Sequence, residues 1–177
     1  MQLETSRLII RDLKENDAKE FAKQGNDKEI NYFNWYLPFP LTLEKAKKII
    51  LKRSVEQKGH RWLYELGIFL KETGGFVGIV SLYDVSKPDN KAKIGYWVGK
   101  DFRKRGYAEE AVKTMIEFAF QELKLNKISA KTMEDNRNSN SLLEKIGFRK
   151  IGVSKWDKII EGKKHDVFEW ELLNKYI

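Results

Sequence analysis

Cysteine is absent from the 177 residues, and histidine occurs only twice, at His60 and His165. The first absence excludes a disulfide framework, a thiolate zinc site, an iron–sulfur cluster and a cysteine nucleophile, so covalent catalysis would need another residue. The second excludes a site built on several histidines. Proline is scarce, with three in the chain. No stretch approaches the roughly 20 apolar residues that a membrane-spanning helix needs. Met1 to Arg11 carries Glu4, Arg7 and Arg11 among its apolar residues and lacks the uninterrupted apolar run of a signal peptide. What is present is a globular composition. Hydrophobic residues at 41% and aromatics at 12% exclude a disordered chain, and the length suits one domain over residues 1–177. The expectation is a cytoplasmic protein with no membrane contact.

The chain carries 34 Lys and Arg against 26 Asp and Glu, a net charge of +8. A basic surface attracts nucleic acid, anionic lipid or a phosphorylated small molecule by the same electrostatics. A nucleic-acid module would gather its cations on one face with stacking aromatics. Here they are spread along the chain among acids, and the dense cluster is Arg103-Lys104-Arg105, which disfavours that partner.

The partial alternation of Leu3 to Leu13 predicts a first strand. Asn16 or Asp17 can cap a short helix carrying Ala18, Phe21 and Ala22 on one side. Ile30 to Pro40, dense in aromatics and holding two prolines, reads as a loop. Thr42 can cap a helix with Leu43, Ala46, Ile49 and Ile50 on one face. Trp62 to Leu70, Phe76 to Tyr83 and Ala92 to Val98 read as an antiparallel meander, separated by turn-forming clusters. Ala108 to Leu123 has the strongest helical periodicity in the chain. A strand at Lys127 to Thr132 follows, then a helical segment within Asn136 to Ile146. In that segment Ser141-Leu142-Leu143-Glu144 fits a capping box and Gly147 a left-handed C-terminal cap. A strand from Phe148, a hairpin at Glu161-Gly162-Lys163 and a strand from Val167 to Leu173 close the chain. The order predicts an α+β arrangement around one mixed sheet.

The junction Tyr96-Trp97-Val98-Gly99-Lys100-Asp101-Phe102-Arg103-Lys104-Arg105-Gly106-Tyr107-Ala108 carries the chemistry. A strand ends, a basic turn follows, and a glycine opens the longest helix. Unpaired N–H groups at a helix N-terminus and the positive end of its dipole favour an anion. Arg103, Lys104 and Arg105 add positive charge, and Gly106 removes a side chain where a phosphate would approach the backbone. The arrangement suits a pyrophosphate; equally, Gly106 could simply start a helix behind a solvated basic turn. Neither G-x-x-x-x-G-K-[ST] nor G-x-G-x-x-G is present, which argues against an NTPase or a dinucleotide dehydrogenase.

Arg103-x-x-Gly106-x-Ala108 after a strand resembles the acetyl-CoA pyrophosphate loop of the GCN5-related N-acetyltransferases (GNAT). Leu3-Glu4-Thr5-Ser6-Arg7-Leu8-Ile9-Ile10-Arg11 resembles the opening of the RimJ/RimL-like branch, which acetylates N-termini of ribosomal proteins. Asn136-Arg137-Asn138-Ser139 with Leu143-Glu144-Lys145-Ile146-Gly147-Phe148 resembles a later segment of that branch, and Gly162-Lys163-Lys164-His165-Asp166 is similar to its ending. The likeness covers nearly the whole chain.

The resemblance implies a GNAT-type sheet, mostly antiparallel and flanked by helices, whose central strands splay to admit the pantetheine arm of acetyl-CoA. Those edges would be Tyr96 to Gly99 and Ile128 to Met133. Cofactor contacts would fall on Trp97, Val98, Arg103, Lys104, Arg105, Gly106, Tyr107, Ala108, Asn136 and Ser139. Of Tyr96 and Trp97, one must pack in the core, because neighbours in a strand face opposite ways. Asn136 and Ser139 are equally suited to capping a helix. A backbone N–H near Val98 could polarise the thioester carbonyl. Many relatives place a tyrosine acid one helical turn before the Gly-Phe pair, a position held here by Leu143, so Ser139 becomes the candidate proton donor. The glutamate that relatives often carry two before the strand glycine is Lys93 here, which leaves the base unknown and a water chain as a substitute. The aromatic loop Tyr32 to Phe39, Trp35 and Tyr36 above all, would wall the acceptor site or form a lid over the core. Without cysteine, direct transfer to a primary amine in a ternary complex is simpler than an acyl-enzyme. The acceptor would be a protein N-terminus or a small molecule. A polyamine is disfavoured by the few carboxylates nearby, and a homodimer is compatible with this reading. The missing tyrosine and glutamate also leave open a sensor that binds CoA without turnover, beside the basic nucleic-acid module.

Overall fold

A computed structural model describes residues 1–34, 37–56 and 62–174. The strands are β1 (Gln2–Glu4), β2 (Leu8–Arg11), β3 (Tyr64–Leu70), β4 (Phe76–Ser86), β5 (Lys91–Val98), β6 (Lys127–Met133), β7 (Arg149–Ile160) and β8 (Lys163–Leu173). The helices are α1 (Ala18–Gly25), α2 (Lys28–Phe33), α3 (Leu43–Glu56), α4 (Tyr107–Gln121) and α5 (Arg137–Ile146). The strands form one sheet in the order β1-β2-β3-β4-β5-β6-β8-β7. All its pairings are antiparallel except β5 with β6. This is the expected α+β arrangement.

The sheet separates two cores. On one face Leu66, Ile68, Val80, Leu82 and Ile94 meet Ala111, Val112, Met115 and Ala119 of α4. On the other Phe69, Phe76, Ile79 and Trp97 meet Phe21, Ala22, Ala46 and Ile50 of α1 and α3. Strands covered on both sides need no polar face, which is why β3 is buried from Tyr64 through Phe69. Among the described residues no helix is long and apolar enough to cross a membrane.

Three local expectations are corrected. The first strand is a hairpin, because Thr5 N donates to Leu8 O at 3.0 Å and turns the chain between β1 and β2. The segment read as a loop from Ile30 begins inside α2. There the Asp27 carboxylate accepts from Glu29 N (2.7 Å) and Ile30 N (3.3 Å), supplying a cap that outweighs the aromatic composition. The capping box at Ser141 does not form, since α5 starts four residues earlier with Asn136 as its cap. Gly147, at φ 105°, ends α5 in the left-handed conformation as expected. Thr42 Oγ1 accepts from Lys45 N at 3.3 Å at the start of α3.

Candidate active site

The pairing of β5 with β6 stops early. It runs only through Lys91, Ala92 and Lys93 against Lys127, Ile128 and Ser129. Beyond that point β5 stays with β4, as in Val80↔Tyr96 and Gly78↔Val98. β6 stays with β8 as far as Met133↔Val167. The two central strands therefore part into a V. Gly99 N donates to Val77 O at 2.8 Å, on the β4 side. Successive N–H groups in a strand point to opposite edges, so those of Val98 and Tyr96 point into the V. A cavity of about 400 Å³ lies there, lined by Gly95 and Tyr96 on one arm, Ala130 and Thr132 on the other, and Asn136 and Ser139 of α5.

At the wide end of the V the chain turns from β5 into α4. Lys104 (φ 59°) and Gly106 (φ 79°) are both left-handed, a backbone shape that aims consecutive N–H groups at one point. The first intrahelical bond of α4 is Glu110 N to Gly106 O at 3.1 Å. The N–H groups of Tyr107, Ala108 and Glu109 are thus left without an intrahelical partner. Lys104 and Arg105 are exposed and, among the described residues, make no ion pair. Arg7 braces the turn: its Nη1 donates to Arg105 O at 3.0 Å, its Nε to Glu110 Oε2 at 2.7 Å, and its guanidinium lies 4.7 Å from the centre of the Tyr107 ring.

Two residues expected at the cofactor are engaged elsewhere. The Trp97 side chain is buried, stacked 6.0 Å from Phe21 and edge-on to Phe76, so it packs in the core rather than at the V. Arg103 donates to Val98 O at 3.2 Å, and its guanidinium pairs with Asp27 (2.8 Å) and Glu29 (2.6 Å). Those carboxylates neutralise its charge, and the attraction for an anion passes to Lys104, Arg105 and the backbone. Ala108 sits in the first turn of α4. Trp35, Tyr36 and His60 lie outside the described residues.

Just past the C-terminal end of β6, Asn136 Oδ1 accepts from Ser139 N at 3.2 Å, so Asn136 does cap α5. Ser139 Oγ lies 2.7 Å from the Tyr96 hydroxyl. Burial pushes the Tyr96 phenol up to about 12, against a smaller lowering by Ser139, so the ring keeps its proton at neutral pH. Tyr96 is the polar member of the Tyr96/Trp97 pair, and its phenol lies beside Ser139 although Leu143 holds the family's tyrosine position. Strand alternation could have found it, since it faces away from the buried Trp97. Beneath, Thr132 Oγ1 donates to Asn140 Oδ1 at 2.5 Å and accepts from Trp170 Nε1 at 2.7 Å, which fixes the floor.

On the opposite wall the sequence pointed to the aromatic segment from Tyr32 to Phe39 but gave no signal for Glu65 or Arg53. Glu65 on β3 lies opposite Ser81, which lies opposite Gly95, forming one row on the α3 face that leads to the V. Arg53 of α3 donates to Glu65 Oε1 (3.1 Å) and Glu56 Oε2 (2.8 Å). Phe33, Asn34, Trp62 and Tyr83 complete this side of the cavity. At its rim Tyr32 of α2 donates to Asp135 Oδ2 at 2.9 Å and meets the His165 ring edge-on, 5.8 Å between centres. Only the fold brings these together.

Residues 7–149 match the family model described as an acetyltransferase (GNAT) domain. The chain is 31% identical over 168 residues to the uncharacterized N-acetyltransferase YoaA of Bacillus subtilis strain 168, covering 93% of this chain and 92% of that protein. It is 26% identical over 104 residues to the [ribosomal protein uS5]-alanine N-acetyltransferase of Escherichia coli K12, covering 58% and 54%. Its fold matches that of RimL, a ribosomal L7/L12 alpha-N-protein acetyltransferase solved in complex with coenzyme A, with a TM-score of 0.86 at 17% identity over 98% of each chain.

Proposed function

The chain belongs to the GNAT acetyltransferase family and is an N-acetyltransferase, and we propose that it takes its acetyl group from acetyl-CoA and passes it directly, in a ternary complex, to a primary amine. The acceptor is the α-amine of a protein N-terminus or the amine of a small molecule. The parting of β5 from β6 over the 400 Å³ cavity carries this reading. An open strand edge accepts an extended chain carrying amide groups as an added strand, which suits a pantetheine arm. The coenzyme A held by RimL supports the choice of cofactor, and the alanine acceptor of the uS5 enzyme supports an α-amine.

Each residue then has a role. The N–H groups from Gly106 to Ala108, with Lys104 and Arg105, hold the pyrophosphate by charge-assisted hydrogen bonds. Val98 N–H, fixed by the sheet and aimed into the V, stabilises negative charge on the thioester oxygen as the amine adds. Ser139 donates a proton to the departing sulfur and regains one from the acylated nitrogen, while the Tyr96 phenol, protonated at neutral pH, holds Ser139 Oγ in place by their hydrogen bond. A thiol with a pKa of about 8.5, if it resembles cysteine, leaves readily and needs only a weak acid. Asn136 orients Ser139 through its cap.

Calorimetry with acetyl-CoA followed by a thiol-release assay over an amine panel tests this. Binding, with CoA release for at least one amine, is expected. No binding by the native chain would sink the reading, and binding with no turnover would leave a CoA sensor.

A further inference from the structure

Acetylation of an ammonium ion needs a proton acceptor, and the usual family position offers none. Lys93 is a cation whose Nζ is held by Asp84 at 2.9 Å. The cavity nevertheless contains a carboxylate that the roles above leave unused. Glu65 is 8% exposed at its side chain, lines the same cavity as Tyr96 and Ser139, and heads the row Glu65–Ser81–Gly95 that ends at the V. Two strand spacings of roughly 4.8 Å separate its backbone from that of Gly95, a span that the glutamate side chain and one water cover.

We propose that Glu65 is the general base, taking a proton through one water from the acceptor ammonium as the amine enters beside Gly95. This rests on the acetyl-transfer reading of the same cavity. The step balances. R-NH3⁺ gives its first proton to the Glu65 carboxylate. The neutral nitrogen forms the N–C bond, the C–S bond breaks, and the second proton reaches the sulfur by way of the Ser139 hydroxyl. The products are the amide, the free thiol and a protonated Glu65, which returns its proton to solvent.

The surroundings suit the task. Burial raises the Glu65 carboxyl above its ordinary range, the neighbouring Arg53 opposes that rise, and Glu56 adds to it. Such a group binds a proton more readily at neutral pH than an exposed glutamate does, as a base requires. Arg53 stays charged and, by gripping Glu65 and Glu56 together, fixes the carboxylate in place. The other titratable groups around the cavity are Tyr83 from β4, Tyr96 from β5 and Lys131 from β6.

Glu65→Gln removes the proton acceptor with little change of shape. With saturating acetyl-CoA and an amine the native chain turns over, kcat at pH 7 is expected to fall about 100-fold. The acetyl-CoA Kd should stay within about twofold, because Glu65 lies off the expected cofactor track. The lost rate should return as pH rises and the amine deprotonates in solution. A kcat near the native value, or a pH profile parallel to the native one, overturns the assignment. Should Glu65→Gln fail to fold, Glu65→Asp carries the test. A lower kcat with a displaced base limb supports the role, and a native rate and profile overturn it. No thiol release by the native chain with any amine would overturn acetyl transfer and this role together, whereas an unaffected Glu65→Gln overturns this role alone.

Discussion

The two sides of the cleft are built by different means. The side proposed for the cofactor uses backbone: the open edge of β5, two left-handed residues at Lys104 and Gly106, the free first turn of α4, and two exposed cations. The side proposed for the acceptor uses side chains drawn from distant elements, Arg53 and Glu56 of α3 with Glu65 of β3, and Tyr32 of α2 with Asp135 and His165. Backbone sites recognise what is common to a class of ligand, which in the proposed reading is a pyrophosphate and an amide-bearing arm. Side-chain networks recognise a particular partner. One chain can thus keep a shared cofactor and change its acceptor by altering a few positions on one wall.

The most damaging way to break the cofactor side is Gly106→Glu. It places a side chain at φ 79°, next to Arg7 Nη2 3.3 Å from the new Cβ, and a carboxylate where an anion should sit. Acetyl-CoA affinity is expected to fall at least about 100-fold, some 2.7 kcal/mol, by calorimetry. Ser139→Ala strikes the point where the two sides meet. Turnover should drop about 100-fold while acetyl-CoA Kd moves less than about threefold, and an unchanged kcat would reject its role as acid.

A third change separates burial from chemistry at Tyr96. Its folded value of about 12 lies above the ordinary phenol value of 10. The stability linked to its neutral form is therefore complete below pH 10 and lost as pH climbs towards 12. The unfolding free energy from urea titrations should fall over that window by up to about 2 kcal/mol more in the native chain than in Tyr96→Phe. Equal slopes would place Tyr96 in water. Asn136→Ala should cost about 1 kcal/mol as a lost cap. If acetyl-CoA Kd stays unchanged as well, capping is the whole of its role. The smallest effect on the cofactor is expected from Arg103→Ala, whose charge is already neutralised by Asp27 and Glu29. Acetyl-CoA Kd should move less than Arg105→Ala moves it, and the reverse order would return Arg103 to the phosphate.

The contrast also explains what could be read in advance. The helix periodicity of α4, the left-handed cap at Gly147 and the aromatic and β-branched runs of the meander are local, so residue type and spacing were enough. The basic turn that opens α4 was legible for the same reason. The Arg103 ion pairs join residues 74 and 76 positions apart, the Tyr96–Ser139 contact spans 43, and Tyr32 meets Asp135 across 103. No local pattern encodes such pairings. Glu65 looked like one acid among 26 until β3 was sandwiched between two cores and its neighbour Arg53 came down from α3. The start of α2 was missed for a smaller reason, since a single Asp27 cap outweighed an aromatic composition that read as a loop.

The central claim is that the arm of acetyl-CoA lies as an added strand in the V between β5 and β6. Amide hydrogen exchange with and without saturating acetyl-CoA tests it at single residues. Exchange should slow at Tyr96 and Val98 as well as at Tyr107 and Ala108. Slowing at Tyr107 and Ala108 alone, with Tyr96 and Val98 unchanged, would contradict it.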